Sequence, residues 1–111
     1  MMTRIESTAS FNKAAKQMQK RYKSFLTDLQ ALVLNLIQTP TLGTDLGGGL
    51  RKVRMPIKSK GRGKSGGARV ITFIFSETAS VVKLLYIYDK ADRDSISKKE
   101  LLQLLKQNEL Q

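Results

Sequence analysis

The sequence predicts an α+β fold of order β-α-α-β-β-β-α, an antiparallel sheet with helices packed on one face. Three observations predict it. Apolar residues recur at three- and four-residue spacing through residues 11–37 and again near the C-terminus. Between those stretches, apolar and polar residues alternate in three segments, as they do along strands. The three strand-like segments follow one another with short connections, which favours a meander covered by helices. The 111 residues suffice for one domain, 1–111, and 41% hydrophobic residues give it a core without covalent staples.

Each element has its own signal. Residues 3–9 alternate weakly and read as a short strand. From Phe11 the spacing of Ala14, Ala15, Met18, Tyr22 and Phe25 is helical, with Lys13, Lys16, Lys20 and Lys23 facing solvent. Thr27 and Gln30 read as a capping box opening a second helix, whose stripe is Leu29, Leu32, Val33, Leu36 and Ile37. Pro40 stops it, because the residue before proline avoids helical angles. Residues 39–49, TPTLGTDLGGG, read as a mobile loop.

In LRKVRMPI, Val53, Met55 and Ile57 point one way and Lys52 and Arg54 the other, with Pro56 marking a bulge, an edge or the strand end. In ARVITFIF, Arg69 shares a face with Ile71, Phe73 and Phe75. ETAS is a tight connection into SVVKLLYIY, where Tyr86 and Tyr88 share a face. Ser97 and Glu100 form a capping box for a last helix carrying Leu101, Leu102, Leu104 and Leu105.

Charge narrows the function. The net charge is +11, from 20 basic and 9 acidic side chains. No acidic residue lies between Asp45 and Glu77, where Arg51, Lys52, Arg54, Lys58, Lys60, Arg62, Lys64 and Arg69 are concentrated. Such a field suits a polyanion, and nucleic acid is the obvious one. The absence of cysteine excludes disulfides, thiolate metal sites and cysteine nucleophiles, and the absence of histidine removes the usual general base. Catalysis would fall to Lys, Arg, Tyr, Ser or carboxylates. No apolar run approaches the roughly 20 residues that span a bilayer, and the N-terminus lacks a signal peptide's apolar core. A cytoplasmic protein without a membrane partner is expected.

GRGKSGG invites a phosphate-loop reading but fails on spacing, because Lys58 stands where the motif needs glycine and a strand, not a helix, follows. Asp89 and Asp92, beside so many cations, read as ion-pair partners rather than metal ligands. Lys52, Arg54 and Arg69 lie on strands. If their strands pair, they form one cationic face, either simply solvated or preorganised for phosphate. Tyr88, at the end of its strand, is either a rim residue of the core or a group that stacks on a base or assists proton transfer.

The run GGLRKVR, a Lys/Gly-rich loop, GKSGGARVI and then LYIYDK resembles the HigB-like branch of the RelE/ParE toxin superfamily, over roughly residues 11–105. The resemblance implies a RelE-like fold and the toxin of a type II toxin–antitoxin system. It implies partners in a cognate antitoxin, mRNA and the ribosome. The implied activity is translation-inhibiting endonucleolytic cleavage of ribosome-bound mRNA by 2′-hydroxyl attack, with no metal and no small-molecule cofactor. ParE-like relatives poison DNA gyrase instead, so a gyrase inhibitor and a non-catalytic RNA-binding domain are the alternatives.

The site residues follow the same resemblance. Lys52 and Arg54 match the basic pair on the second strand. Arg69 matches the arginine that meets transition-state charge. Tyr88 fits the tyrosine ending the last strand, and Lys90 falls in its basic tail. The implied catalytic set is Arg54, Arg69, Tyr88 and Lys90; Lys52 and, from the charge and glycine content of the loop itself, Lys58, Lys60, Arg62 and Lys64 are expected to bind nucleic acid. Ala91 stands where some relatives place arginine, and Ser97 or a neighbour where some place a later tyrosine, so no general base is assigned.

Overall fold

A computed structural model describes residues 3–60, 66–75 and 80–110. The elements are β1 (Arg4–Ser7), α1 (Ala9–Arg21), α2 (Phe25–Gln38), β2 (Thr44–Gly47), β3 (Leu50–Met55), a 3-10 turn at Lys58–Lys60, β4 (Ala68–Ile74), β5 (Val81–Asp89) and α3 (Lys98–Gln107). They build one five-stranded sheet in the order β1-β5-β4-β3-β2. The expected meander is β3-β4-β5, antiparallel throughout. β1 adds to it in parallel at the β5 edge.

α1 and α2 form the helical layer on one face. Phe11, Met18, Phe25, Leu32 and Leu36 bury there against Val53, Met55, Val70 and Ile87. Successive strand residues divide between the two faces, so Ile71 and Tyr88 belong to a second cluster with Leu50, Phe73 and Leu85. α3 contributes Leu101 and Leu105 to that second cluster, while Leu102 is exposed. Ser97 and Glu100 form the expected capping box of α3.

Thr8 joins three parts of the fold. Its hydroxyl caps α1 by accepting from the Phe11 N–H at 3.0 Å, and it donates to the Leu84 and Leu85 carbonyls at 3.2 and 3.0 Å. Those carbonyls lie where β5 slips register against Ile71/Thr72, and the Leu84 carbonyl also accepts from the Thr8 N–H at 3.1 Å.

Two local expectations change. The loop 39–49 contains β2, paired antiparallel with β3. Gly47, Gly48 and Gly49 all have positive φ (90°, 61° and 87°), which lets the chain reverse within three residues. A Cβ on Gly49 would also meet the Ile74 carbonyl oxygen at 2.5 Å. The second correction concerns α2, which opens at Ser24 rather than at a Thr27–Gln30 box. Tyr22 leaves the helical path to donate its hydroxyl to Asp89, which moves the break upstream. The Ser24 hydroxyl then donates to Asp28 at 2.6 Å and accepts from the Ser59 N–H at 2.9 Å. The ETAS connection lies largely outside the described residues, with only Ser80 inside them.

Candidate active site

Strand register places three of the expected residues in one row. Arg54 on β3 stands opposite Arg69 on β4, and Arg69 stands opposite Tyr88 on β5. Opposed Cβ atoms are about 5 Å apart in such pairs, and like charges directly opposed are unfavourable. The row lies on the α3 side of the sheet, with the residues of the second cluster. Lys52 stands opposite Ile71, two residues along β3 from Arg54, so it shares that face.

Burial grades along the row. Arg54 is exposed, whereas Arg69 and Tyr88 are only 8% and 5% accessible. The Arg69 guanidinium donates through Nη1 to the carbonyls of Gly66 and Ala68. Among the described residues no carboxylate pairs with it. A cation held in that way, with backbone oxygens as anchors, retains its charge for an incoming anion.

The Tyr88 hydroxyl is buried and has no hydrogen-bond partner among the described residues. Burial pushes its pKa upward, and the nearby cations Arg69, Arg93 and Lys90 only partly oppose that shift. The phenol is therefore neutral at physiological pH, an O–H donor rather than a base. Arg93 lies over the Tyr88 ring, its guanidinium carbon 5.4 Å from the centroid. Arg93 is itself held by Glu100 at 2.7 Å and by the Ser95 carbonyl at 2.9 Å. The α3 capping box thus also braces the cation that faces Tyr88.

Lys90 follows β5 directly. Its ammonium pairs with Asp94 at 2.6 Å, but Asp94 is almost fully solvated, so the pair is a weak surface contact. Gly66 packs against the Lys90 side chain, where a Cβ would run into its methylenes. Gly66 therefore brings Lys90 close to the carbonyl that anchors Arg69.

The structure does not bring Lys60 to the row. Its ammonium is 2.7 Å from Asp89 and 2.9 Å from the Gly67 carbonyl, and it lies over the Tyr22 ring. Asp89 gathers Lys60, the Tyr22 hydroxyl, the Ala91 N–H and Arg21. Burial raises the Asp89 carboxyl pKa, but the bonds from Lys60, Tyr22 and Ala91 outweigh it and hold the group below its usual value. Arg21 also pairs with Asp92 at 2.6 Å, so both aspartates are ion-pair partners as expected. Lys58 is exposed, and its backbone N–H donates to Asp28 at 3.1 Å. Arg62 and Lys64 lie outside the described residues.

Sequence reasoning missed Arg93 as a neighbour of Tyr88 and Asp89 as a structural hub. Arg93 falls beyond the strand, where periodicity says nothing of direction. The capping box at Glu100 was readable, but its second partner was not.

Residues 3–109 match the family described as the RelE toxin of the RelE/RelB toxin–antitoxin system. No curated protein sequence matches the chain. Among solved structures it resembles a mutant of E. coli toxin RelE in the free state, with a TM-score of 0.58 and 13% identity. That likeness covers 96% of this chain and 98% of the other. It extends to the α+β architecture, and at this identity it speaks to the fold alone.

Proposed function

The chain belongs to the RelE toxin family, and from that premise we propose that it is a ribosome-dependent mRNA endoribonuclease of the cytoplasm, restrained by a cognate antitoxin and closest in chemistry to the HigB-like branch. The observation that carries the reading is the row Arg54–Arg69–Tyr88, in which a buried phenol with no hydrogen-bond partner among the described residues ends a line of two guanidiniums. Breaking RNA through its own 2′-hydroxyl needs charge stabilisation and proton transfer, but no water nucleophile. The 2′-hydroxyl gives its proton to water and its oxygen bonds to phosphorus while the 5′-oxygen leaves, so the products are a 2′,3′-cyclic phosphate and a 5′-hydroxyl. Arg69 and Arg54 neutralise charge on the phosphorane. Tyr88, which its raised pKa keeps protonated, donates its proton to the departing 5′-oxygen. Lys52 and Lys90 flank the row and hold the neighbouring phosphates. Ribosome-bound mRNA supplies the in-line geometry for attack, which is the largest entropic part of the barrier.

Purified ribosomes programmed with mRNA test the proposal. Cleavage is expected, and a single 2′-O-methyl nucleotide at the cleaved position should abolish it. Cleavage that survives that methyl group would mean a water nucleophile and overturn the mechanism. An intact message together with inhibited DNA gyrase would overturn the activity itself.

A further inference from the structure

We propose that α1 carries a second RNA-binding surface, separate from the row, which grips the phosphate backbone of structured RNA. Lys13, Lys16, Lys20 and Lys23 are all exposed, and none forms an ion pair among the described residues. The first three lie on α1 at spacings of three and four residues, so they line one face about 10 Å long. That face points away from Phe11 and Met18, the residues α1 buries. α1 contains no carboxylate, so nothing on the helix offsets these like charges, and each neighbouring pair weakens it. The stripe is therefore a cost to the helix itself, and an external polyanion would relieve it.

Chemistry favours nucleic acid over a protein partner. The exposed residues beside and between the lysines are Asn12, Gln17, Gln19 and Arg21, with no exposed aromatic or methionine anchor of the kind protein interfaces use, and Arg21 is already paired with Asp92. Lysines as point charges, without bidentate groups or stacking rings, read phosphates and not bases. A line of charges also fits a run of backbone phosphates better than a single anion.

Placement links the stripe to the row without merging them. Tyr22 and Arg21 pin the C-terminal end of α1 to Asp89 and Asp92. Asp89 follows Tyr88 directly, so the stripe begins at the end of the sheet where the row lies. Its helix nevertheless covers the opposite face. A large folded RNA can occupy both surfaces, whereas a short single strand in the row need not reach α1. Lys16 also rims an apolar groove with Phe11, Leu26, Leu29 and Val33, which makes antitoxin binding the necessary control.

The inference goes beyond the cleavage reading, because it is tested by binding alone. The probes are a short blunt RNA duplex and a short single-stranded RNA, both 2′-O-methylated to prevent cleavage. In the variant Lys13→Gln/Lys16→Gln/Lys20→Gln/Lys23→Gln, the slope of log affinity against log salt should fall by roughly 3 for the duplex and stay unchanged for the single strand. Glutamine keeps helix propensity near that of lysine, so circular dichroism should be unchanged. Arginine at the same four positions should keep the duplex slope. An unchanged duplex slope in the glutamine variant overturns the proposal. So does a loss confined to antitoxin binding, which would assign the stripe to that partner.

Discussion

The Lys60 ammonium sits 2.7 Å from the Asp89 carboxylate, with the two side chains 7% and 0% accessible. The same ammonium donates to the Gly67 carbonyl, so one cation ties the start of the basic loop to its end. Asp89 immediately follows Tyr88, and Gly67 lies two residues before Arg69. The pair therefore fixes the ends of β4 and β5 that carry the row.

Removing that cation should cost more stability than a surface lysine can. Lys60→Met leaves Asp89 buried with Tyr22, Arg21 and the Ala91 N–H but without its closest cation. Breaking a buried pair in this way costs about 3 kcal/mol, readable as a lower urea midpoint. Adding Asp89→Asn should recover part of the loss. A shift like that of an exposed lysine would show that the pair does not hold the fold.

The depressed Asp89 pKa gives an acid limb to stability. A carboxylate whose folded pKa is below its unfolded value stabilises fully above the unfolded value, 3.8, and less as pH falls towards and through the folded one. Melting temperature should therefore drop steeply below pH 3.8. Asp89→Asn, lower in stability at pH 7, should show a shallower acid slope. Parallel acid limbs would remove Asp89 from the explanation.

Arg69→Ala should leave a folded protein and slow single-turnover cleavage ~100- to 1000-fold, the usual loss for one preorganised charge donor. No described carboxylate depends on Arg69, so no buried anion is orphaned and the melting temperature should change little. Arg69→Lys should not restore the rate, because a point charge cannot hold two backbone carbonyls and a phosphate as a planar fork does. Near-normal cleavage by folded Arg69→Ala would take the row out of the mechanism.

Arg93 acts on Tyr88 through its charge and through the ring. Arg93→Ala removes one of the cations that oppose the burial of the phenol, so the Tyr88 pKa should rise further in an ultraviolet titration. Cleavage should fall about tenfold or more, since proton transfer follows the donor's acidity. Glu100→Gln should move the titration the same way by less, because Arg93 keeps the Ser95 carbonyl. An unmoved tyrosine titration in Arg93→Ala would place the guanidinium outside the phenol's field.

Much of the fold was legible because its signals are local. The helical spacing before Pro40, the alternation in LRKVRMPI and ARVITFIF, and the Ser97–Glu100 box each depend on neighbours in the chain. β2 was hidden because Thr44–Gly47 has little strand propensity and forms only where three glycines turn it against β3. The start of α2 was misplaced because Tyr22 answers to Asp89, far away in the chain. The row was half legible. Alternation put Lys52 and Arg54 on one side, but only the register brought Arg54, Arg69 and Tyr88 together. Lys60 looks like its neighbours in sequence, because nothing local distinguishes a buried ammonium from a solvated one.

The parallel pairing of β1 with β5 sets an order of events. Arg4 lies opposite Val81 and Ser7 opposite Leu84, so the first strand synthesised is among the last to find its place. The β3-β4-β5 meander, which holds the row, has no need of β1 to pair. During translation the N-terminal segment must wait, unpaired, until β5 has emerged, and closing so distant a contact is slow. For a toxin, this separates the time of its making from the time of its competence.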